Sequence, residues 1–215
     1  MPEVSFRTLA AEAVSFAASP SIALQIAVRA APAEQRVDSI LLRCAVRIEA
    51  GKRRHDARER RRLDELFGGE SLWARSHKSL LWTNATVVVP GFEESATFTL
   101  ELPCSYDLAS AAAKYLHGLE GGDVPITVQF SGTLFYPTPA GLQIAQIPWD
   151  REAPFELPVA LFSRVIDAHF PNAAILSLRR DVFERLNQYR RAQGLLAWED
   201  AVERLLACAS QEHAS

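Results

Sequence analysis

The sequence predicts an α+β fold: an antiparallel β-sheet built from hairpins, with intervening helices and a helical C-terminal layer. Three observations predict it. Apolar residues alternate with polar or small ones in several segments of the first two thirds, the spacing turns helical in between, and strands precede helices instead of alternating with them. A chain of 215 residues suits one domain, 1–215, with a β-rich core carrying two helices over 1–150 and a helical cap over 151–215.

The elements follow in order. Ile22, Leu24, Ile26 and Val28 form one half-buried strand, and Ile40, Leu42, Cys44, Val46 and Ile48 another, interleaved with Arg43 and Arg47. The polar stretch APAEQRVD between them predicts a turn and antiparallel pairing. Asp56 can cap a helix that buries Leu63, Leu66 and Phe67, ends at Gly68-Gly69 and points its arginines outward. LLWTNATVVVP and the alternating Ala96, Phe98, Leu100 and Leu102, joined by PGFEES, predict a second hairpin. The stretch from Pro103 to Asp123 reads as a capped helix with Leu108, Ala112, Tyr115, Leu116 and Leu119 on one face. VPITVQFSGTLFY and GLQIAQIPW, turned by PTPAG, make a third hairpin. From about residue 151 helices take over, begun by Pro158, by Asp181 with Val182, Leu186 and Tyr189, and by Glu199 with Trp198, Val202, Leu205 and Leu206.

Composition narrows the function classes. At 48% hydrophobic and 23% charged residues the chain is an ordinary globular protein. Its three cysteines, Cys44, Cys104 and Cys208, are far apart and lack C-x-x-C spacing, so neither a disulfide framework nor a zinc site is expected and a reducing cytoplasm fits. Glu3, Arg7 and Glu12 interrupt any signal peptide, and no run of about 18 apolar residues offers a membrane span.

Charge is unevenly placed. Residues 52–62 hold seven basic against two acidic side chains, whereas 63–150 hold three against ten, so the basic island can be neutralised within the chain or by an acidic partner. Lys52, Arg53, Arg54, Arg58, Arg61 and Arg62 are the candidate partner-binding residues. A solvated helix whose Arg58, Glu59 and Arg62 pair along one exposed face is the competing reading. Specific nucleic-acid binding is not expected, because the pI is about 6.0 and no aromatic residue interleaves the basic ones.

Catalytic signatures are sparse. EGGD and FGGE follow helices and carry acidic neighbours, which suits helix termini better than phosphate loops. None of His55, His77, His117, His169 and His213 has metal-ligand spacing, so no metal and no cofactor are expected; His117 and His169 each end a helix, where an imidazolium gains from the dipole. Trp73, Trp82, Trp149 and Trp198 read as core packing. Cys104, just before a predicted helix N-terminus, is the cysteine better placed to react, and with Tyr106, Asp107, Lys114 and His117 it forms the alternative functional cluster of a small-molecule or redox enzyme.

In RIEAGKRRH, LDELFG, VPGF, LPCSYDLASAAAKYLHGLEGGDVPITVQFSGTLF and QIPWD, taken in that order, the chain resembles an uncharacterised bacterial family whose genes accompany high-affinity uptake nickel-iron hydrogenases. Pro103–Phe135 is the most specific part. The resemblance carries over no catalytic residue; it implies a cytoplasmic, non-enzymatic accessory protein that assists maturation, assembly or anchoring of a hydrogenase, with hydrogenase subunits or a maturation factor as partner. KYLHGLEGGDVPITVQF is also similar to the helix-to-strand entry of the SecB export-chaperone family, which implies a sheet face that binds unfolded or extended polypeptide. The sequence leaves the oligomeric state open.

Overall fold

The computed structural model describes residues 2–32, 35–68, 79–105, 110–173 and 177–212. The chain divides into two compact units, Met1–Ile175 and Leu176–Ser215. Among the described residues it holds eight strands, all paired antiparallel, and five α-helices, the α+β class expected.

The first unit contains two sheets. Strands β1 (Glu3–Ala13), β2 (Ser21–Ala31) and β5 (Ser95–Pro103) form the smaller, in the order β1-β2-β5. Strands β3 (Val37–Ile48), β4 (Leu80–Phe92), β6 (Asp123–Thr138) and β7 (Gly141–Ile147) form the larger, in the order β4-β3-β6-β7, with β8 (Glu152–Pro158) also paired to β6. The buried faces of both sheets belong to one hydrophobic cluster, in which Phe6 of β1 stacks on Phe130 of β6 with ring centroids 4.1 Å apart. Every expected inward residue of β2, β3 and β5 except half-buried Ala96 is buried there, because a period-2 pattern fixes which face meets the core.

Connectivity departs from the sequence reading in four places. β2 and β3 do not pair, nor do β4 and β5: each connection carries the chain from one sheet to the other. The turn chemistry is real, but a turn only brings strands close and does not choose their hydrogen-bond partners. Of the three hairpins, β6-β7 alone forms as expected, with Thr138 opposite Gly141. β1 was not expected at all; Val4, Phe6 and Thr8 alternate, but a register shift between Thr8 and Ala10 breaks the pattern. β8 lies where helices were expected to take over, since Pro154 and Glu156 on its outer side obscure the inward Ala153, Phe155 and Leu157.

Helix α1 (Ala57–Phe67) begins at Asp56, whose carboxylate accepts from the N–H groups of Arg58 and Glu59 in a capping box, and it buries Leu63 and Phe67. It packs on α2 (Ala111–Gly118). The close approach requires glycine, because a Cβ at Gly118 would lie 2.5 Å from Leu63 Cδ2. Helix α3 (Val159–His169) packs on α2, β1, β2 and β8 through Leu161, Phe162, Val165 and Ile166. In the second unit, α4 (Arg180–Ala192) and α5 (Trp198–Glu212) pack on each other. No described helix is long and apolar enough to cross a membrane.

Candidate functional site

The basic island turns one of its seven basic side chains, Arg53, inward. Arg53 lies just before α1 and forms a bidentate pair with Glu59, Nη1 to Oε2 and Nη2 to Oε1 both at 2.8 Å, with side chains 11% and 4% exposed. Arg53 also donates to the carbonyls of Gly121 at 2.6 Å and Asp123 at 3.0 Å, and Glu59 accepts from the Glu120 N–H at 3.1 Å. Burial alone would raise the Glu59 carboxyl, but the Arg53 guanidinium and the N–H groups of Glu120 and Asp56 outweigh it and hold the carboxyl below its ordinary value. This corrects the expectation that Glu59 serves an exposed face: it joins the start of α1 to the turn between α2 and β6. The available signal was Glu at the third helical position after a capping Asp, which draws the side chain back over the helix start.

The remaining basic residues differ from one another. Arg58 and Arg62 reach Glu120 at 2.8 and 3.2 Å, and Lys52 lies 3.9 Å from Glu49. Arg54, Arg60 and Arg61 are exposed and make no ion pair among the described residues. Beneath the island, His55 Nε2 and the Tyr115 hydroxyl are 2.9 Å apart, and burial pushes the Tyr115 phenol up to about 12.

The alternative cluster has a different character. Cys104 is buried, its Sγ 3.7 Å from the Leu102 carbonyl, and burial pushes its thiol up to about 12, as it does for Cys44. Near neutral pH both are thiols and neither is a nucleophilic thiolate. His117 faces Phe162, ring centroids 5.0 Å apart, and burial lowers its pKa against the opposing pull of Ser105 and Asp167, so the imidazolium expected to gain from the helix end is disfavoured. Lys114 is paired with Glu65 at 2.8 Å. Tyr106 and Asp107 lie outside the described residues, as do Trp73, His77 and His213. Among the described residues no group of three or more His, Cys, Asp or Glu could hold a metal ion.

A second surface escaped the sequence reading. On the outward face of the larger sheet, Thr86, Arg43 and Ser131 lie abreast on β4, β3 and β6, and Asn84, Ala45 and Gln129 form the next row. The short side chain of Ala45 leaves a dip between taller neighbours, part of a concavity of about 610 Å³ with Trp149 on its rim. Trp149 is 88% exposed, contrary to the core role expected; it sits between β7 and β8, where the edge of the sheet is interrupted. Further along the same face Val88 lies opposite Leu41, and Ile144 opposite Phe135, with Leu142 beyond, and all but Phe135 are well exposed. The strands that build this face are distant in sequence, so no local motif marks it.

The chain belongs to DUF6084, a family of unknown function, which it matches over residues 1–214. No curated protein matches it. Among solved structures it is similar to a β-glucosidase from Kluyveromyces marxianus, with 8% identity over 73% of this chain and 15% of that one at a TM-score of 0.26. It is likewise similar to β-glucosidase 3B from Thermotoga neapolitana, with 15% identity over 71% of this chain and 17% of that one, also at 0.26. The chain thus spans less than a fifth of either structure, and likenesses this loose carry no argument about fold or activity.

Proposed function

We propose that this protein is a non-enzymatic accessory that binds another protein through the outward face of its larger sheet, assisting maturation, assembly or anchoring of an uptake nickel-iron hydrogenase. The observation that carries the binding role is that face itself. Leu41 with Val88, and Ile144 with Leu142, form two exposed apolar patches on either side of Thr133 and Phe135 of β6, near Arg43, which has no ion-pair partner among the described residues, and the projecting Trp149. Exposed apolar patches set among polar groups mark interaction sites, and Trp and Arg are among the side chains that most often anchor them. The hydrogenase assignment rests on the family resemblance, and the exposed Arg54, Arg60 and Arg61 of the basic island supply charge that would steer an acidic partner. The tagged protein, recovered from a hydrogenase-producing host, should carry hydrogenase subunits or a maturation factor, and Trp149→Ala with Arg43→Ala should lose them. Recovery of those partners by the double variant at wild-type yield would refute the sheet face as the site.

The same face favours a second reading, in which it holds extended polypeptide as the SecB resemblance implies. Suppression of aggregation of an unrelated unfolded protein, lost with the same two substitutions, would support that reading. The enzyme reading centred on Cys104 is disfavoured by its burial. Under a thiol reagent the native protein should modify exposed Cys208 first, with Cys44 and Cys104 following only on unfolding, whereas a thiolate-like rate at Cys104 near neutral pH would restore the enzyme.

A further inference from the structure

The second unit is a helical hairpin with almost no interior. Trp198 is held between Phe183, ring centroids 5.1 Å apart, and the Arg190 guanidinium, 4.5 Å from its ring centroid. Arg190 also donates to the Leu196 carbonyl at 2.8 Å, which secures the turn between the helices. Yet no residue of α4 is buried, and among the described residues of α5 Ala201 alone is. Trp198, Val202, Leu205 and Ala209 recur at alternating four- and three-residue spacing, the period of a packing seam, but Leu205 stands 41% exposed and the adjacent Leu206 62%. Units of about 40 residues or fewer usually need disulfides, metals or oligomerisation to bury enough apolar surface, and this one has a single free cysteine, Cys208, and no described metal-ligand group.

We propose that the apolar face of this hairpin is covered by the same face of a second copy of the chain, the two hairpins closing into a four-helix bundle. Charge selects that occupant. α4 carries four basic and two acidic residues, net +2, and α5 carries one basic and four acidic, net −3. When two hairpins meet about a two-fold axis with α4 of one beside α5 of the other, opposite charges line both rims while the apolar seams fill the centre. The hairpin is therefore complementary to itself, and the contact closes at two copies. This inference is independent of what the sheet face binds.

Light scattering on the full-length protein at micromolar concentration should give the mass of two chains. Val202→Glu with Leu205→Glu should halve that mass while leaving the thermal transition of the first unit unchanged. A spin label on Cys208, the exposed cysteine, should report one defined distance between chains in the wild type, a readout that holds even if the double variant misfolds. A single-chain mass for the wild type would overturn the proposal. In that event, destabilisation of the first unit by the glutamates would mean that the same chain covers the face, and an unchanged transition would leave it to a foreign partner. A two-chain mass that survives both glutamates, or one without coupling between Cys208 labels, would place the dimer elsewhere and overturn it too.

Discussion

Helices α1 and α5 are both amphipathic, 11 and 15 residues long, yet their environments are opposite. α1 buries Leu63 and Phe67 against its own unit and ties part of its charge to Glu120, while Arg53 and Glu59 neutralise each other at its start. α5 leaves Val202, Leu205 and Leu206 exposed. Amphipathicity thus identifies a face that needs cover without identifying what covers it. The answer for α1 lies in side chains that enclose it from the loop before it and from α2.

If that contrast is right, the largest effect comes from breaking the inward pair. Arg53→Ala leaves the Glu59 carboxylate buried without its cation and should cost about 3–5 kcal/mol in urea unfolding, whereas Arg61→Ala, on the exposed side of the same helix, should stay within about 0.5 kcal/mol. Equal costs would erase the distinction between inward and outward arginines. Phe67→Ala removes a ring packed edge-on against Tyr115, centroids 6.0 Å apart, and should cost about 3 kcal/mol by the same measurement.

A smaller effect tests the helix contact. Gly118→Ala forces Leu63 to move, and overpacking of this kind should destabilise by about 1–2 kcal/mol; a neutral result would mean that α1 and α2 stand further apart than described. Acid adds a signed test of the pair. Because Glu59 lies below its ordinary value of 4.5 when folded, its contribution is fully present above pH 4.5 and is lost as pH falls through the folded value. The stability gap between wild type and Glu59→Gln should therefore be flat above 4.5 and narrow only below it. The smallest effect belongs to Arg58→Ser and Arg62→Ser, whose half-exposed bridges to Glu120 should each contribute no more than about 0.5 kcal/mol in thermal unfolding.

Local features were legible in the sequence. The Asp56 cap, the buried Leu63 and Phe67, and the inward rows of β2, β3 and β5 all follow from residues near one another in the chain. What was not legible depends on distant pairing. The turns after β2 and β4 have ordinary composition, and only the partners Leu100 for Leu24 and Phe130 for Cys44 reveal that those turns pass between sheets. The outward concavity is invisible for the same reason, since Asn84, Ala45 and Gln129 meet only after three strands are in register. Trp149 was misread because a lone tryptophan beside a strand usually packs inward, and nothing local announces the interrupted edge where it projects.

The passage of the chain between two sheets also sets an order of events during synthesis. The smaller sheet has all its strands once Pro103 has emerged, but β3 acquires its second neighbour only when Ile126–Phe135 of β6 appear. Until then the nascent chain carries a β3-β4 ladder with one bare edge along Ser39–Ile48. Bare edges of alternating apolar strands recruit like strands, and non-local pairing is slow. From the completion of β4 at Phe92 until Phe135 emerges, the growing polypeptide is therefore open to aggregation along this edge, and a pause in translation there would lengthen the hazard.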